Sequence, residues 1–372
     1  MSHQPSSTVY VAVAQFEPAW LDLPKAVEKT CRLIREAAEN GAKLVSFPEC
    51  WIPGYPAWIW TRPVDFELST AYIKNSLQVD STEMRRICQS AADYHIAVVL
   101  GFSENYKDSL YISQAIINAE GTIEVLRRKL KATHMERTIF GDASGSSLHN
   151  VVELPDVGRV GALACWEHTQ PLLKYHTYHQ RESIHVAAWP PLYEHSGGPD
   201  LYSMSKEGAR SLSQVYAIES QSFVLHTTAV MSDAGIATLR TGSGLTMNTP
   251  GGGSSAIFGP DGRLVANGPP ETEEGFIYAE LQLDDILKAK GFLDICGHYS
   301  RPDLLWLGVD KKEKTHVTWL TSESVRQASR SGKRVGHPTN FNHLLYLNTQ
   351  CLHAALLSCI QMKQIFSLLS YL

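Results

Sequence analysis

The sequence predicts an α/β protein with a mixed β-sheet and helices on its faces. Strand-like apolar runs alternate with helical stripes from residue 9 to residue 281, and short turns join some of the runs as hairpins. No break in composition interrupts this span, so we expect one domain there. The chain has 372 residues, of which 44% are hydrophobic and 19% charged, a mixture that can bury a substantial core.

The first part of the chain supplies strands, two helices and a hairpin. Residues 9–16 alternate and are rich in Val and Ala, as a strand would be. Residues 25–40 carry an apolar stripe of helical spacing that ends at Gly41, a common helix stop. Glu120-Gly121 separates two β-like runs as a tight turn. The strands predicted here are 9–16, 43–47, 96–101, 110–118 and 122–129, and the helices are 25–40 and 81–94.

The second part repeats the alternation. A buried strand leads directly into Cys165, and a helix and another apolar strand follow it. The turn at residues 259–262 has the Gly-Pro-Asp-Gly composition of a hairpin loop. The strands predicted here are 159–164, 184–189, 223–230, 254–258, 263–266 and 276–281, and the helices are 171–182 and 201–221.

The character of the chain changes near residue 310. We expect residues 9–310 to form the domain and residues 311–372 to be a C-terminal extension that is partly disordered. An apolar segment at 341–372 is too interrupted by polar residues to span a membrane. We have no functional explanation for it.

Composition excludes several classes of function. The net charge of −5 gives no basic field for nucleic acid. The seven cysteines have no CxxC pairing, which fits neither a disulfide framework nor a zinc site and favours a reducing, cytoplasmic compartment. The N-terminus lacks the pattern of a secretory signal, and no apolar run is long enough for a spanning helix. Fifteen histidines show no ligand spacing, so we expect no metal and no cofactor.

Three predicted strands lead to a reactive side chain, namely Glu49, Lys131 and Cys165. Ligands of open α/β sheets usually bind at the carboxyl ends of strands, so these side chains can converge. A carboxylate in a dry pocket can accept the thiol proton, and an ammonium stabilises the thiolate and developing anions. Each residue also has an ordinary structural interpretation: a loop acid, a solvated strand face and a core cysteine.

Four segments of the chain resemble the nitrilase branch of the carbon–nitrogen hydrolase superfamily, and the resemblance extends over residues 9–310. The segments are FPE at 47–49 with IPGYP at 52–56, RKLKATHMER at 128–137, CWEH at 165–168 and GHYSRPD at 297–303.

The resemblance implies a four-layer α-β-β-α sandwich that dimerises and builds into a larger spiral homo-oligomer. It implies that Cys165 is the nucleophile, Glu49 the general base and Lys131 the lysine of a Glu-Lys-Cys triad, with Glu136 as an accessory acid. Ala132 stands where many members have proline, and we expect little effect from it.

Four further residues are candidates for substrate binding. Tyr55, Trp166, Trp189 and His134 lie in or near the matched segments and can line a pocket for an aromatic substrate, although aromatic clusters are more often core.

The implied activity is hydrolysis of a small nitrile to the carboxylic acid and ammonia through a cysteine thioimidate and thioester, with a lean towards arylacetonitriles. One alternative is a cyanide or nitrile hydratase, although such relatives typically have Asn where this chain has His168. A second is an amidase or carbamoylase, although Trp166 and the segment 133–136 resemble nitrilases more than the amide-cleaving branches. A third is an inactive assembly subunit, which would have no need of Glu49, Lys131 and Cys165 together.

Overall fold

The computed structural model describes residues 8–315 and residue 317, and their strands form two six-stranded sheets. The strands are β1 Thr8–Gln15, β2 Leu44–Ser46, β3 Ala97–Tyr106, β4 Ser109–Ile117, β5 Ile123–Arg128, β6 Val151–Leu154, β7 Gly158–Ala164, β8 Ile184–Ala188, β9 Phe223–Thr227, β10 Ala256–Phe258, β11 Leu264–Asn267 and β12 Gly275–Gln282. The first sheet has the order β12-β1-β2-β3-β4-β5, and the second has the order β11-β10-β9-β8-β7-β6.

Each sheet combines parallel and antiparallel pairs. β1, β2 and β3 run parallel in the first sheet, and β7, β8 and β9 run parallel in the second. The parallel strands are separated in sequence by helices, as crossover connections require. The helices are α1 Leu23–Glu39, α2 Phe66–Asn75, α3 Thr82–Asp93, α4 Pro171–His179, α5 Lys206–Ser220, α6 Asp233–Leu239 and α7 Asp284–Phe292.

The alternation of side chains along the strands produces four layers. In β1, Val11 and Val13 point into an apolar layer shared with β7, β8 and β9 of the other sheet. Ala12 and Ala14 point the opposite way, into a layer shared with α1 and α3. On the far side of the second sheet, α4 and α5 cover β7–β10 through residues such as Tyr216. The order of layers is therefore helix, sheet, sheet, helix, and the predicted sandwich is confirmed.

Three of the observed helices were not predicted from the sequence. α2, α6 and α7 are short, and the sequence reading placed no helix at any of them. The helix predicted at 201–221 starts later, because residues 202–204 form a separate 3₁₀ turn and Ser205 then caps α5 through the Gly208 N–H. The strand predicted at 122–129 ends one residue earlier, at Arg128.

Within the described part of the chain, no helix is long and apolar enough to cross a membrane. The cysteines in that part are unpaired thiols. Residues 311–315 have no regular secondary structure. The expected apolar segment at 341–372 lies outside the described residues, so the bounds of the extension stay a prediction.

Candidate active site

Cys165 is the first residue after β7 and begins a 3₁₀ turn over Cys165–Thr169. Its φ of 49° is left-handed, a conformation that a non-glycine residue adopts only where its surroundings hold it. The residue is 4% exposed. The strand end and the sharp turn therefore present the sulfur at the carboxyl edge of the second sheet.

Glu49 reaches the same place from the first sheet. It lies three residues beyond the end of β2, and its N–H donates to the Trp189 carbonyl at 3.3 Å. The loop passes so close to β3 that a Cβ at Gly101 would collide with the Pro48 carbonyl. A close-packed backbone thus fixes the Glu49 carboxylate in the interior, where the residue is 2% exposed.

Lys129 is the ammonium of this cluster. It is the first residue after β5, and its Nζ donates to Glu49 Oε1 at 2.9 Å and to Glu136 Oε2 at 2.8 Å. Its side chain is 1% exposed. An ammonium removed from water in this way needs carboxylate partners, and it has two.

The prediction that Lys131 faces the cluster is wrong. After Lys129 the chain bends at Leu130 and Lys131, where the Leu130 N–H is held by Glu167 Oε1 at 2.9 Å. The bend turns Lys131 outwards, so its side chain is 62% exposed and pairs with Asp142 at 2.5 Å. The error came from taking Lys131 as the reactive residue at the strand end, since Lys129 directly follows the observed strand as Cys165 follows β7.

Glu136 is a fully satisfied carboxylate. Its Oε1 accepts from the Tyr55 hydroxyl at 3.0 Å, and its Oε2 accepts from Lys129 Nζ and from the Thr133 N–H at 2.7 Å. All three neighbours donate, so both oxygens of Glu136 already accept hydrogen bonds. Its role as an accessory acid stays a prediction.

Glu49 differs from Glu136 because one of its oxygens is free. Among the described residues, buried Glu49 Oε2 has no hydrogen-bond partner. Carboxylate oxygens of Glu49 and Glu136 and the Cys165 sulfur lie within 4.8 Å of one another. Burial raises the pKa of Glu49 to about 8, against the lowering effect of the Lys129 charge and with a further raise from Glu136. A carboxylate with this pKa and a free oxygen beside a thiol can exchange a proton near neutral pH.

The sulfur is protonated in the resting site. Burial raises the pKa of Cys165 well above that of a free thiol, and the negative charge of Glu49 adds to the effect. Lys129 and the Trp166 main-chain N–H act in the opposite direction. The thiol therefore keeps its proton until it reacts, and Lys129 and the Trp166 N–H are placed to stabilise the thiolate that forms.

A second buried ion pair supports the strand ends. Arg127 donates from Nη1 and Nη2 to Glu167 at 2.8 and 2.7 Å and also to Gln114 Oε1 at 2.7 Å. The same Glu167 carboxylate accepts from the N–H groups of Leu130 and Ala164. Glu167 thus ties the end of β5 to the end of β7 and sets the spacing between Lys129 and the nucleophilic turn. The sequence reading assigned no role to Arg127 or Glu167.

The predicted substrate-binding residues have different surroundings. Tyr55 is buried and bonded to Glu136, and it accepts from Trp60 Nε1 at 3.1 Å. His134 is exposed and stacks on Trp60 with ring centroids 5.5 Å apart. Trp189 is 1% exposed and donates to Ser213 Oγ at 3.2 Å. Their roles in substrate binding stay predictions.

Trp166, the remaining candidate, is half-buried and lines a cavity of about 540 Å³. Its wall also includes Leu130, Leu172 and residues 307–310. Glu49, Lys129 and Cys165 do not line this cavity. Trp166 therefore lies between the turn that carries the nucleophile and an apolar cavity.

The donor set Glu49, Glu136 and Cys165 is also close enough to bind a metal ion. The geometry gives these donors a cation from the protein itself, since Lys129 Nζ already bonds to both carboxylates. The expectation that the site needs no metal or cofactor stays a prediction.

Comparison with known proteins places the chain among its relatives. Residues 10–290 match the family model of carbon-nitrogen hydrolases. The arylacetonitrilase of Aspergillus kawachii is 64% identical over 312 residues, which is 84% of this chain and 95% of that protein. The arylacetonitrilase of Aspergillus oryzae is 65% identical over 316 residues, with 84% and 94% covered.

Solved structures show the same fold at low identity. A carbon-nitrogen hydrolase of Helicobacter pylori aligns with a TM-score of 0.62 and 16% identity, covering 78% of this chain and 94% of that one. The NitFhit protein of C. elegans aligns with a TM-score of 0.61 and 19% identity, covering 84% and 70%. The family match over most of the described domain, together with the two close relatives, establishes that this chain belongs to the carbon–nitrogen hydrolase family.

Proposed function

We propose that this enzyme is a nitrilase that hydrolyses arylacetonitriles to carboxylic acids and ammonia. The observation that carries the proposal is the buried Glu49 carboxylate, which keeps one oxygen free and lies with a carboxylate oxygen within 4.8 Å of the Cys165 sulfur, while Lys129 bonds to both Glu49 and Glu136. The relatives at 60–65% identity that are arylacetonitrilases support the choice of substrate class.

The proposed reaction begins with attack of the Cys165 sulfur on the nitrile carbon. Glu49 accepts the thiol proton and delivers it to the nitrile nitrogen, which gives a thioimidate. Addition of a water molecule and departure of ammonia leave a thioester. Glu49 then activates a second water, which releases the acid and restores the thiol. The sum is one nitrile and two waters converted to one acid and one ammonia.

Lys129 takes the role that the sequence reading gave to Lys131. Its ammonium lies between Glu49 and Glu136, where it lowers the energy of the thiolate and of negative charge that develops on the substrate. Glu136 holds Lys129 in place and keeps it protonated: burial opposes the charge on Lys129, but the two carboxylates outweigh it and raise its pKa.

The alternatives differ in product and in substrate. A hydratase would release the amide, and an amidase would release ammonia from amides but not from nitriles. Phenylacetonitrile, benzonitrile, an aliphatic nitrile and cyanide should be given to the purified protein, with acid, amide and ammonia all measured. We expect the acid as the main product from phenylacetonitrile. Amide as the main product would favour the hydratase.

Two variants test the assignment of the nucleophile and the base. Cys165→Ala and Glu49→Gln should each abolish turnover in a folded protein, because one removes the attacking atom and the other removes the proton acceptor. Cys50→Ala is a matched control, since Cys50 is another buried thiol next to Glu49 in sequence. Wild-type turnover by either active-site variant would refute the mechanism.

We also propose that the enzyme assembles with copies of itself, as a dimer that builds into a larger spiral. Phe292, Leu305 and Trp306 support this, because they are 89%, 79% and 79% exposed on the described surface. Sedimentation velocity should show a large particle for the wild type and a smaller particle for the double variant Leu305→Ser/Trp306→Ser. A monomeric wild type would contradict the proposal.

The free cysteines of the described part are in keeping with a reducing, cytoplasmic location.

A further inference from the structure

A buried chain of polar side chains ends on the backbone of the nucleophile. His168 Nδ1 lies 2.7 Å from the Cys165 carbonyl oxygen, and His168 Nε2 lies 3.0 Å from His185 Nε2. His185 Nδ1 in turn lies 2.8 Å from Glu182 Oε2, and the Tyr216 hydroxyl donates to Glu182 Oε1 at 2.5 Å. All four side chains belong to residues that are at most 3% exposed.

The direction of these hydrogen bonds follows from one fixed acceptor. The Cys165 carbonyl can only accept, so His168 Nδ1 carries a hydrogen. The contact between His168 and His185 needs one hydrogen, and the contact between His185 and Glu182 needs another. Two neutral imidazoles and an ionised carboxylate supply only two hydrogens for three contacts. The chain from Cys165 to Glu182 therefore holds one additional proton.

The surroundings place that proton on the Glu182 side of the chain. Burial lowers the pKa of His168 well below its usual value, and the neighbouring His185 and His226 and the more distant Lys174 act in the same direction. His168 is thus neutral, with its hydrogen on Nδ1.

Glu182 and Tyr216 hold the far end of this chain of polar side chains. Tyr216 donates to the second oxygen of Glu182, and its ring stacks on His185 with centroids 3.8 Å apart. With His168 neutral, His185 donates from Nε2 to His168, and the contact between His185 Nδ1 and Glu182 holds the remaining hydrogen.

We propose that Glu182 and His185 are positioning residues for the nitrile-hydrolysing site. They orient His168 so that its Nδ1–H donates a hydrogen bond to the carbonyl of Cys165. This bond holds the nucleophile in its left-handed backbone conformation. This inference rests on the proposed function for its kinetic consequence. Its structural part, the hydrogen on His168 Nδ1 that the Cys165 carbonyl accepts, stands on the contacts alone.

A glycine in the neighbouring strand supports the interpretation. Gly161 pairs in register with His185, and a Cβ at Gly161 would overlap Glu182 Oε2. The carboxylate therefore occupies the space that a side chain on β7 would fill. The fold makes room for Glu182 at the one strand that leads to Cys165.

The test compares two substitutions of Glu182. Glu182→Ala removes the partner of His185, so the direction of the hydrogen bonds between His185 and His168 is no longer fixed. The Cys165 carbonyl then loses its oriented donor. Glu182→Gln can present its amide N–H to His185 Nδ1 and its oxygen to Tyr216, so a neutral His185 still donates to His168. The readouts are kcat and KM for phenylacetonitrile and the rate at which iodoacetamide alkylates Cys165, followed by mass spectrometry.

We expect Glu182→Ala to lower kcat by about 30- to 100-fold with KM changed less than about threefold, because the reacting atom is misplaced. Glu182→Gln should recover to within about threefold of the wild type. Alkylation of Cys165 should follow the same order. Equal loss in folded Glu182→Gln and Glu182→Ala would overturn the proposal, and so would wild-type kinetics in Glu182→Ala.

A second pair of variants keeps the test decisive if Glu182→Ala does not fold. Asn at position 168 can place an N–H near the position of Nδ1, whereas Leu cannot, so His168→Asn should exceed His168→Leu in kcat by about tenfold or more. Equal kcat in the two variants would refute the anchoring role. His176→Leu is the matched control, since His176 is a buried histidine whose Nε2 lies 3.0 Å from the Leu148 carbonyl, away from the nucleophile.

Failure of the proposed function would be seen separately. If the wild type converts none of the four nitriles, the assignment as a nitrilase fails, but the alkylation rates still rank the variants. If the wild type is active and the alkylation rates do not change, the positioning role fails on its own.

Discussion

Two buried cations at the end of β5, Arg127 and Lys129, make an instructive comparison. They are two residues apart, as residues on one face of a strand are, and the side chain of each is at most 1% exposed. The partner of Arg127 is Glu167, whose two oxygens accept four hydrogen bonds. A partner of Lys129 is Glu49, and one oxygen of Glu49 accepts none within the described chain.

The difference is visible in the two carboxylates. Burial opposes ionisation of Glu167, but the charge of Arg127 and the N–H donors outweigh it, so its pKa lies below the usual value. Burial prevails at Glu49, whose pKa rises to about 8. A saturated buried carboxylate fixes structure, whereas a buried carboxylate with a free oxygen next to a thiol is available for proton transfer.

The largest effect should come from Lys129→Met. This substitution leaves two buried carboxylates without their common cation, so both the thiolate and developing charge on the substrate lose their stabilisation. We expect kcat/KM to fall on the order of 1,000-fold or more. Steady-state kinetics on phenylacetonitrile measures the loss, with circular dichroism to verify the fold. A folded Lys129→Met enzyme within tenfold of the wild type would remove Lys129 from the mechanism.

Arg127→Met should act on stability rather than on chemistry. Removing one partner of a buried ion pair costs about 3–5 kcal/mol, because Glu167 keeps a buried charge with only main-chain donors around it. Urea unfolding followed by tryptophan fluorescence measures the change in unfolding free energy. The comparison fails if Arg127→Met unfolds like the wild type, for Arg127 would then have no structural role.

Local patterns predicted a mixed sheet with helices on its faces and most of the strands, and the four layers followed from the family resemblance. Alternation in residues 9–16 and the apolar run into Cys165 report burial on the faces of strands, and the structure has β1 and β7 there. The short helices α2, α6 and α7 were missed. α6, for example, has only seven residues, and its start depends on a Ser232 cap that contacts Glu17 across the fold.

The site was predictable as far as strand ends could be located. Glu49 and Cys165 follow strands whose ends are evident in the sequence. The run from Arg127 to Lys131 instead contains two lysines, Lys129 and Lys131, that would lie on the same face of a strand. The bend after Lys129 depends on Glu167, which is distant in sequence, so no local pattern separates Lys129 from Lys131. A strand end is uncertain by a residue or two, and here that margin decides which lysine is buried.

Glu49→Gln sharpens the contrast between the carboxylates through the pH dependence of stability. Glu49 has a pKa of about 8 in the fold against an ordinary 4.5, so the folded state binds the additional proton between these values. Stability from this group is present below pH 4.5 and is lost as pH rises through 8, at up to about 1.4 kcal/mol per pH unit. The charges that face Glu49 are Lys129, Glu136 and Glu167.

Chemical denaturation between pH 6 and pH 9 tests this sign. The wild type should lose stability with rising pH, and Glu49→Gln should remove that part of the slope, because glutamine does not titrate. Glu167→Gln is the matched control. Because the pKa of Glu167 is lower in the folded state than in the unfolded state, its ionised form stabilises the fold at pH values above the unfolded-state pKa. That stabilisation is lost only as the pH falls through the folded-state pKa, which lies outside the range tested. An unchanged slope in Glu49→Gln would show that Glu49 does not hold the proton.

The smallest effect should come from Lys131→Met, which is also the strictest check on the choice between the two lysines. Lys131 pairs with Asp142 at the surface, where its side chain is 62% exposed and that of Asp142 is 47% exposed. An exposed pair of this kind contributes about 0–1 kcal/mol, and the ammonium has no contact with Glu49 or Cys165 through which to change the reaction. We therefore expect kcat/KM within about twofold of the wild type and unfolding within about 1 kcal/mol. Since Lys131→Met and Lys129→Met remove the same group two residues apart, a loss of activity at Lys131 as large as that at Lys129 would mean that the bend at Leu130 rearranges in the working enzyme.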